Sequence, residues 1–280
     1  LLGVPTWWHV FARNGKSEEQ TVDLGLRGRK AIVCASSKGL GRACAEALAE
    51  AGCDIVLNGR NEDALNATAT ALREAYGIEV KAVAADVSTP EGQKALLAAC
   101  PDPDILVNNN GGPPFRDFRL LDREAILQGV TQNMVTPIEL IKAVIDGMAA
   151  RRFGRIVNIT STSVYAPIAG LDLSSGARAG LTAFLAGVAR TVAASNVTIN
   201  NILPGAFDTD RLRNGFAFAA QKNGTTPEAE AAQRAETIPA GRIGQPEEFG
   251  KACAFLCSQH AGFITGQNLV IDGGAYQSAF

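Results

Sequence analysis

The chain of 280 residues is 46% hydrophobic and 19% charged, with a formal net charge of −2 at pH 7. That is the balance of a soluble protein with enough apolar mass for one large α/β domain. Its charges are interspersed without a basic tract, so no nucleic-acid partner and no anionic-membrane partner is expected, and no apolar run reaches the ~18 residues a membrane helix needs.

Residues 1–24 read as an N-terminal extension, a processed piece or an expression remnant, because the chain opens on Leu1 and lacks the basic leading region of a secretion signal. From residue 29, β-rich apolar runs at 30–34, 54–58, 80–84, 104–108, 155–160, 198–203 and 268–272 alternate with alanine-rich amphipathic stretches at 41–51, 62–76, 123–150, 174–195 and 246–258. This alternation predicts an α/β fold over 25–280: a single-domain, doubly wound parallel sheet of Rossmann type with about seven strands and helices on both faces. Ligands of such sheets bind at the carboxyl ends of the strands. The stretch 206–242, with Phe207, Phe216, Phe218 and a helical run at 227–236, is expected to form a lid over a substrate pocket.

Six cysteines (Cys34, Cys44, Cys53, Cys100, Cys253 and Cys257) include no CxxC pair, and the histidines are His9 and His260. Reduced, buried thiols in a cytoplasmic protein are expected. Cys253 and Cys257 stand one helical turn apart without companion ligands, so no metal site is expected.

The first strand runs into Cys34, Ala35, Ser36, Ser37, Lys38, Gly39, Leu40 and Gly41, a turn whose glycines let backbone N–H groups approach a pyrophosphate at a helix N-terminus. The second strand ends on Gly59 and Arg60, where an acidic residue would bond a ribose 2′-hydroxyl. Arg60 and Lys38 are instead expected to converge on a 2′-phosphate, which favours NADP over NAD as cofactor.

Further segments follow in order: Asp86 and Val87; Asn108, Asn109, Asn110 and Gly111; Asn133; Ser161; Pro204, Gly205 and Thr209; the run Gly241 to Glu247; and Asp272 to Gly274. With the glycine turn they make residues 25–280 resemble the short-chain dehydrogenase/reductase family, in particular its 3-oxoacyl-carrier-protein reductase-like branch. Cys34 and Ala35 replace the Thr and first Gly of the family's opening TGxxxGxG. The resemblance implies that Asp86 meets the adenine amino group, that Pro204, Gly205 and Thr209 hold the nicotinamide carboxamide, and that Asn133 supports a proton-relay water. It also implies that Ser161 bonds the substrate oxygen, with Ser163 as a substitute, and that the protein is a homotetramer packed through the long helices.

The family's proton donor is the tyrosine of YxxxK, and here Ser174 and Arg178 hold the Tyr and Lys places, thirteen residues beyond Ser161. An aliphatic hydroxyl is a weaker acid than a phenol and shorter, and a guanidinium is a different device from an ammonium. Tyr165 is a candidate for a relocated acid or a pocket-wall aromatic, and Asp172 a candidate acid or helix N-cap. The reading is an NADP-dependent oxidoreductase acting on a carbonyl, oxoacyl-like or imine small-molecule substrate with atypical proton donation. Its alternatives are a catalytically silent NADP-binding sensor or partner subunit, and a non-redox dehydratase or isomerase.

Overall fold

The computed structural model describes residues 22–112 and 115–278. Among these, the β-rich runs form β1 (Lys30–Val33), β2 (Asp54–Gly59), β3 (Val80–Ala84), β4 (Ile105–Asn108), β5 (Gly154–Ile159), β6 (Val197–Pro204) and β7 (Asn268–Ile271). They pair in parallel in the order β3-β2-β1-β4-β5-β6-β7. The expected fold class is the one observed, and the strand order reverses between β1 and β4, where a crevice opens at the carboxyl ends.

The helices are α1 (Gly39–Glu50), α2 (Glu62–Tyr76), α3 (Pro90–Ala99), α4 (Arg123–Val130), α5 (Thr136–Ala150), α6 (Asp172–Val192), α7 (Asp210–Asn223), α8 (Pro227–Glu236) and α9 (Pro246–Cys257). Alternation along the strands feeds two apolar layers. Ala31, Val33, Ile55, Leu57, Ile105 and Val107 face the layer that contains Leu48, Phe249 and Cys253. Ile32, Val56, Leu106 and Ile156 face the opposite layer with Leu96, Leu140 and Leu181. The cysteines are reduced and buried throughout, and desolvation pushes the Cys34 thiol up to about 12.

Four features differ from the sequence expectation. Helix α3 was not expected, although Thr89 caps it by accepting from Gly92 N and Pro90 fills its first turn, a pattern that marks a helix start. The expected helix at 123–150 is interrupted by a π-helical turn at Thr131–Val135. Pro137 causes this, because it has no N–H to give the Asn133 carbonyl and the ladder widens to Thr136 N–H donating to Thr131 O. Leu24, assigned above to the extension, packs on the core and its carbonyl accepts from Gln259 N at 3.0 Å, so the domain includes it; residues 1–21 of that extension lie outside the described residues. Within 206–242 the chain forms α7 and α8, but Phe207 is 5% exposed and packs edge-on against Phe249 at 5.4 Å. Phe207 is therefore a core residue that anchors the stretch, whereas Phe218 is exposed.

Ala35 adopts φ +45°, a left-handed conformation that costs an L-residue roughly 1–2 kcal/mol. Ala35→Gly is expected to raise unfolding free energy by about 1 kcal/mol, the relief of strain being partly offset by a more flexible unfolded chain. Denaturant unfolding of the two proteins checks this, and an unchanged or lower midpoint would show that the turn carries no strain.

Candidate active site

The crevice is built by loops at the carboxyl ends of β1, β4, β5 and β6, each held by its own side chains. In the β1 turn, Ser36 is fully buried, donating to Val33 O at 2.7 Å and accepting from Asn58 N at 3.2 Å. Its backbone N–H is also taken, by Asn58 O at 2.8 Å. Ser36 was expected among the ligand-binding groups and is corrected to a structural residue of the turn. Gly41 lets the chain close, since a Cβ there would overlap the Ala35 carbonyl oxygen. A Cβ at Gly39 would stand 3.7 Å from Thr209 Cγ2, which brings the start of α7 against the glycine turn.

Three successive asparagines at the end of β4 take three different partners. Asn108 Nδ2 donates to Asn158 Oδ1 at 2.9 Å, Asn109 Nδ2 to Ala35 O at 3.3 Å, and Asn110 Nδ2 to Gln132 O at 3.2 Å. The loop is thereby fastened to β5, to the β1 turn and to the π turn at once, and Gly111 N donates to Asn110 Oδ1 at 2.8 Å. The first of these contacts continues across the sheet. Asn158 Nδ2 donates to Asn201 Oδ1 at 3.1 Å, Asn201 Nδ2 to Asn268 Oδ1 at 2.7 Å, and Asn268 Nδ2 to the Tyr165 hydroxyl at 2.8 Å. A ladder of amides thus runs from β4 to β7. Asparagines are depleted in strands, and their repetition on β4, β5, β6 and β7 was the sequence signal for it.

At the adenosine end, a Cβ on Gly59 would lie 3.2 Å from Ser37 Oγ, so the second strand ends in a cradle without a carboxylate. Arg60 is exposed, and its Nη2 is 4.0 Å from the Cβ position of Gly111. Asp86 accepts from Ser88 Oγ at 2.6 Å and Ser88 N at 2.9 Å, and these bonds with the charge of Arg60 hold its carboxyl below the usual range. The side chain of Val87 belongs to the core. Lys38 and Arg60 do not converge as expected: Lys38 Nζ lies 3.6 Å from Asp210 on α7, with both side chains more than half exposed, an arrangement that contributes little energy. Arg60, Asp86, Asn110, Gly111, Arg116 and Leu121 line a cleft of about 240 Å³ that extends to Leu173 on α6.

The β5 side of the crevice is organised around Arg178, which is 8% exposed. One turn of α6 sets it beside Ser174, and its Nε donates to Ser174 Oγ at 3.1 Å. Its Nη1 donates to the carbonyl of Ile159, the last residue of β5. Burial, and after it the charge of Arg211, lower the guanidinium to about 10, so it remains a cation at neutral pH. Ser161 follows at the end of β5 and caps a 3-10 turn, accepting from Ser163 N at 3.1 Å. Ser163 is 1% exposed, which removes it as a substitute for Ser161. Behind Arg178 lies a cavity of about 20 Å³ lined by Asn108, Asn133 and Thr136 among others. Asn133 Oδ1, Asn108 Oδ1 and Thr136 Oγ1 are buried there without a protein partner, and the space has the size and polarity of a single-water site.

Tyr165 and Asp172 are both engaged. The Tyr165 hydroxyl ends the amide ladder and its ring stacks on Tyr276 at 5.4 Å. Asp172 opens α6 and its Oδ2 accepts from Gly170 N at 3.1 Å. On the β6 side, Thr162 Oγ1 donates to Pro204 O at 3.3 Å, Gly205 N donates to Ile271 O at 2.9 Å, and Thr209 caps α7. Among the described residues, no cluster of three or more His, Cys, Asp or Glu side chains is placed to hold a metal, and no helix is long and apolar enough to cross a membrane.

Residues 34–276 match the family model described as enoyl-(acyl carrier protein) reductase. The chain is 34% identical to the 3-oxoacyl-[acyl-carrier-protein] reductase FabG of Vibrio cholerae over 257 residues, 90% of this chain and 99% of that protein. It is similar in structure to L-sorbose reductase from Gluconobacter frateurii, solved with NADPH and L-sorbose, at a TM-score of 0.87 and 30% identity over 92% of this chain and all of that one. It is also similar to YwfH, an NADPH-dependent reductase involved in bacilysin biosynthesis, at a TM-score of 0.84 and 30% identity, covering 90% of this chain and 99% of that one.

The ladder allows a test of what holds the crevice. Asn158→Leu leaves the amides of Asn108 and Asn201 without their buried partner and is expected to cost about 2–4 kcal/mol. Denaturant unfolding measures this, and a loss below 1 kcal/mol would show that the ladder is not a source of rigidity.

Proposed function

Because the chain belongs to the short-chain dehydrogenase/reductase family, we propose that it is an NADP-dependent oxidoreductase that reduces a carbonyl or imine carbon, with Ser174 and Arg178 acting in place of a tyrosine and a lysine. The observation that carries this reading is the clamp of Arg178 on both Ser174 Oγ and the end of β5, beside the Asn133 cavity.

The residues present fit the cofactor. Gly59 and Ser37 leave room at the ribose, and exposed Arg60 supplies a cation for a 2′-phosphate. The tight turn at Gly41 and the backbone start of α1 suit a pyrophosphate. Asp86 is the adenine contact, Asn110 and Gly111 border the adenosine cleft, and Pro204, Gly205 and Thr209 close the nicotinamide end. When bound, NADPH supplies a hydride to the substrate carbon.

Ser161 and Ser174 hold the substrate heteroatom, on which negative charge develops as hydride arrives. Ser174 Oγ accepts a proton-bearing bond from Arg178, so its own O–H is directed to another acceptor, which in this reading is the substrate. The fixed guanidinium polarises that hydroxyl and stabilises the developing charge in a site shielded from water, where preorganised cations act strongly. The proton given by Ser174 is replaced from solvent, and the water-sized cavity at Asn133 and Arg178 offers the nearest relay.

Two measurements test the reading. Arg60→Ala is expected to weaken NADPH binding about 10- to 100-fold, the worth of a charge-assisted contact, and to leave NADH binding nearly unchanged. A fluorescence titration that showed equal losses for both cofactors would remove Arg60 from the 2′-phosphate. Ser174→Ala is expected to lower kcat for a ketone or imine about 100-fold, whereas Tyr165→Phe changes it less than about twofold because that hydroxyl serves Asn268. Nicotinamide absorbance follows both variants, and the opposite ranking would make Tyr165 the acid. Saturable NADPH binding with no turnover of either substrate class would favour the silent sensor, and product without an absorbance change would favour the non-redox alternative.

A further inference from the structure

Asn110 and Gly111 form a reactive pair in the crevice that hydride transfer does not use. The chain has five asparagines followed by glycine: Asn14, Asn58, Asn110, Asn214 and Asn223. Asn14 lies outside the described residues. In three of the other four the backbone is committed elsewhere. Asn58 is buried in β2 with its Nδ2 donating to Val83 O at 3.2 Å and Ala85 O at 3.0 Å. Asn214 and Gly215 lie inside α7, where the helical ladder takes the glycine N–H. Gly224 ends the same helix and gives its N–H to Ala220 O. Gly111 N differs, since it donates to Oδ1 of Asn110 itself at 2.8 Å.

That bond places a nucleophile beside an electrophilic carbon. Cγ is one carbonyl bond from Oδ1, so the Gly111 nitrogen stands no more than about 4 Å from it. The amide torsion of asparagine is soft, and a small rotation brings the two atoms to the roughly 3–3.5 Å of a near-attack contact. The side chain is short and held at its other end, where Nδ2 donates to Gln132 O at 3.2 Å. Gly111 is exposed, and a Cβ on it would find no neighbour nearer than Arg60 Nη2 at 4.0 Å. Water and base therefore reach the nitrogen, and the absence of a Cβ leaves its backbone free to turn.

We propose that Asn110 is a site of spontaneous modification, converted by its own backbone to aspartate and isoaspartate, and that the conversion loosens the cofactor cleft. Base removes the Gly111 amide proton, and the nitrogen forms a bond to Asn110 Cγ. The Cγ–Nδ2 bond breaks, Nδ2 leaves as ammonia, and a five-membered imide remains. Water then opens the imide at one of its two carbonyls, so the net change is amide and water to acid and ammonia, with no oxidant or reductant. The new carboxylate has no N–H for Gln132 O and shares the cleft with Asp86, which sets acceptor against acceptor. Opening toward isoaspartate also adds a methylene to the main chain in the loop that joins β4 to the π turn. The modification is independent of the proposed reaction, whereas its effect on binding rests on the NADP reading.

Peptide mapping by mass spectrometry, with enzymatic methyl labelling of isoaspartate, follows the full chain during incubation in mildly alkaline buffer. Asn110 is expected to convert about tenfold or more faster than Asn58, Asn214 or Asn223, the advantage of a preformed contact. Gly111→Ala is expected to slow that conversion about tenfold; Gly111 has no left-handed φ and room for a methyl group, so the variant folds. Asn110→Asp, the product made directly, is expected to bind NADPH about tenfold more weakly in a fluorescence titration, the cost of an unpaired acceptor facing a charge. Conversion of Asn110 no faster than that of Asn223, or unchanged in Gly111→Ala, overturns the assignment of the site. Undiminished NADPH binding by Asn110→Asp overturns the loosening. No NADPH binding by fresh wild type defeats the cofactor reading, and the mapping still decides the modification.

Discussion

A single buried guanidinium fixes the arrangement of the crevice at the end of β5. Arg178 loses most of its hydration in the fold, and burying a charge is costly unless fixed dipoles replace the water. The replacement comes from the Ile159 carbonyl at the end of β5 and from Ser174 Oγ one turn earlier on α6. Because these partners belong to different elements, satisfying the charge also sets the distance between the strand end that leads to Ser161 and the first turn of α6. The register of the two serines therefore depends on the solvation of Arg178. A lysine, with a compact ammonium on a flexible stem, could meet the same electrostatic demand without clamping two elements.

Rigidity around that centre is supplied by polar rather than apolar contacts. The amides of Asn108, Asn158, Asn201 and Asn268 link four strands in a line that ends on Tyr165. In a low-dielectric interior each of these amide bonds is costly to break, so the chain penalises any slip of one strand against the next. The Asn108 end also borders the small cavity behind Arg178. The sheet that carries the crevice and the cavity that serves it are thus held by one network.

The strands were legible because β-branched runs are short, regularly spaced and separated by amphipathic helices, and all seven fall close to where the sequence placed them. The glycine turn and the ordered segments after β3, β4, β5 and β6 were legible because backbone close approach demands particular residue types at fixed places. What could not be read is where long side chains end. Lys38 and Arg60 share one end of the crevice in sequence terms, yet Lys38 lies toward Asp210. Phe207 carried the composition of a lid, but its position beside Gly244 and Phe249 makes it core. The break at Asn133 was within reach, since Pro137 inside a long helical pattern is a recognised signal.

The replacement of tyrosine and lysine by serine and arginine need not be a loss of function, once the job of the pair is separated into parts. A proton donor lowers the barrier by neutralising charge on the reacting heteroatom, typically by 10²- to 10⁴-fold. A fixed cation lowers the same barrier by stabilising the charge before it is neutralised, and one such donor is worth a comparable factor in a preorganised site. Serine is poor at the first task, but a serine whose oxygen is already engaged by a guanidinium is pulled toward it. Arginine contributes nothing to the first task as an acid and a great deal to the second. The demand on proton transfer falls further when the substrate is an imine that arrives protonated. In the proposed reading the catalytic weight therefore moves from acid to field, and it depends on Arg178 staying dry and clamped.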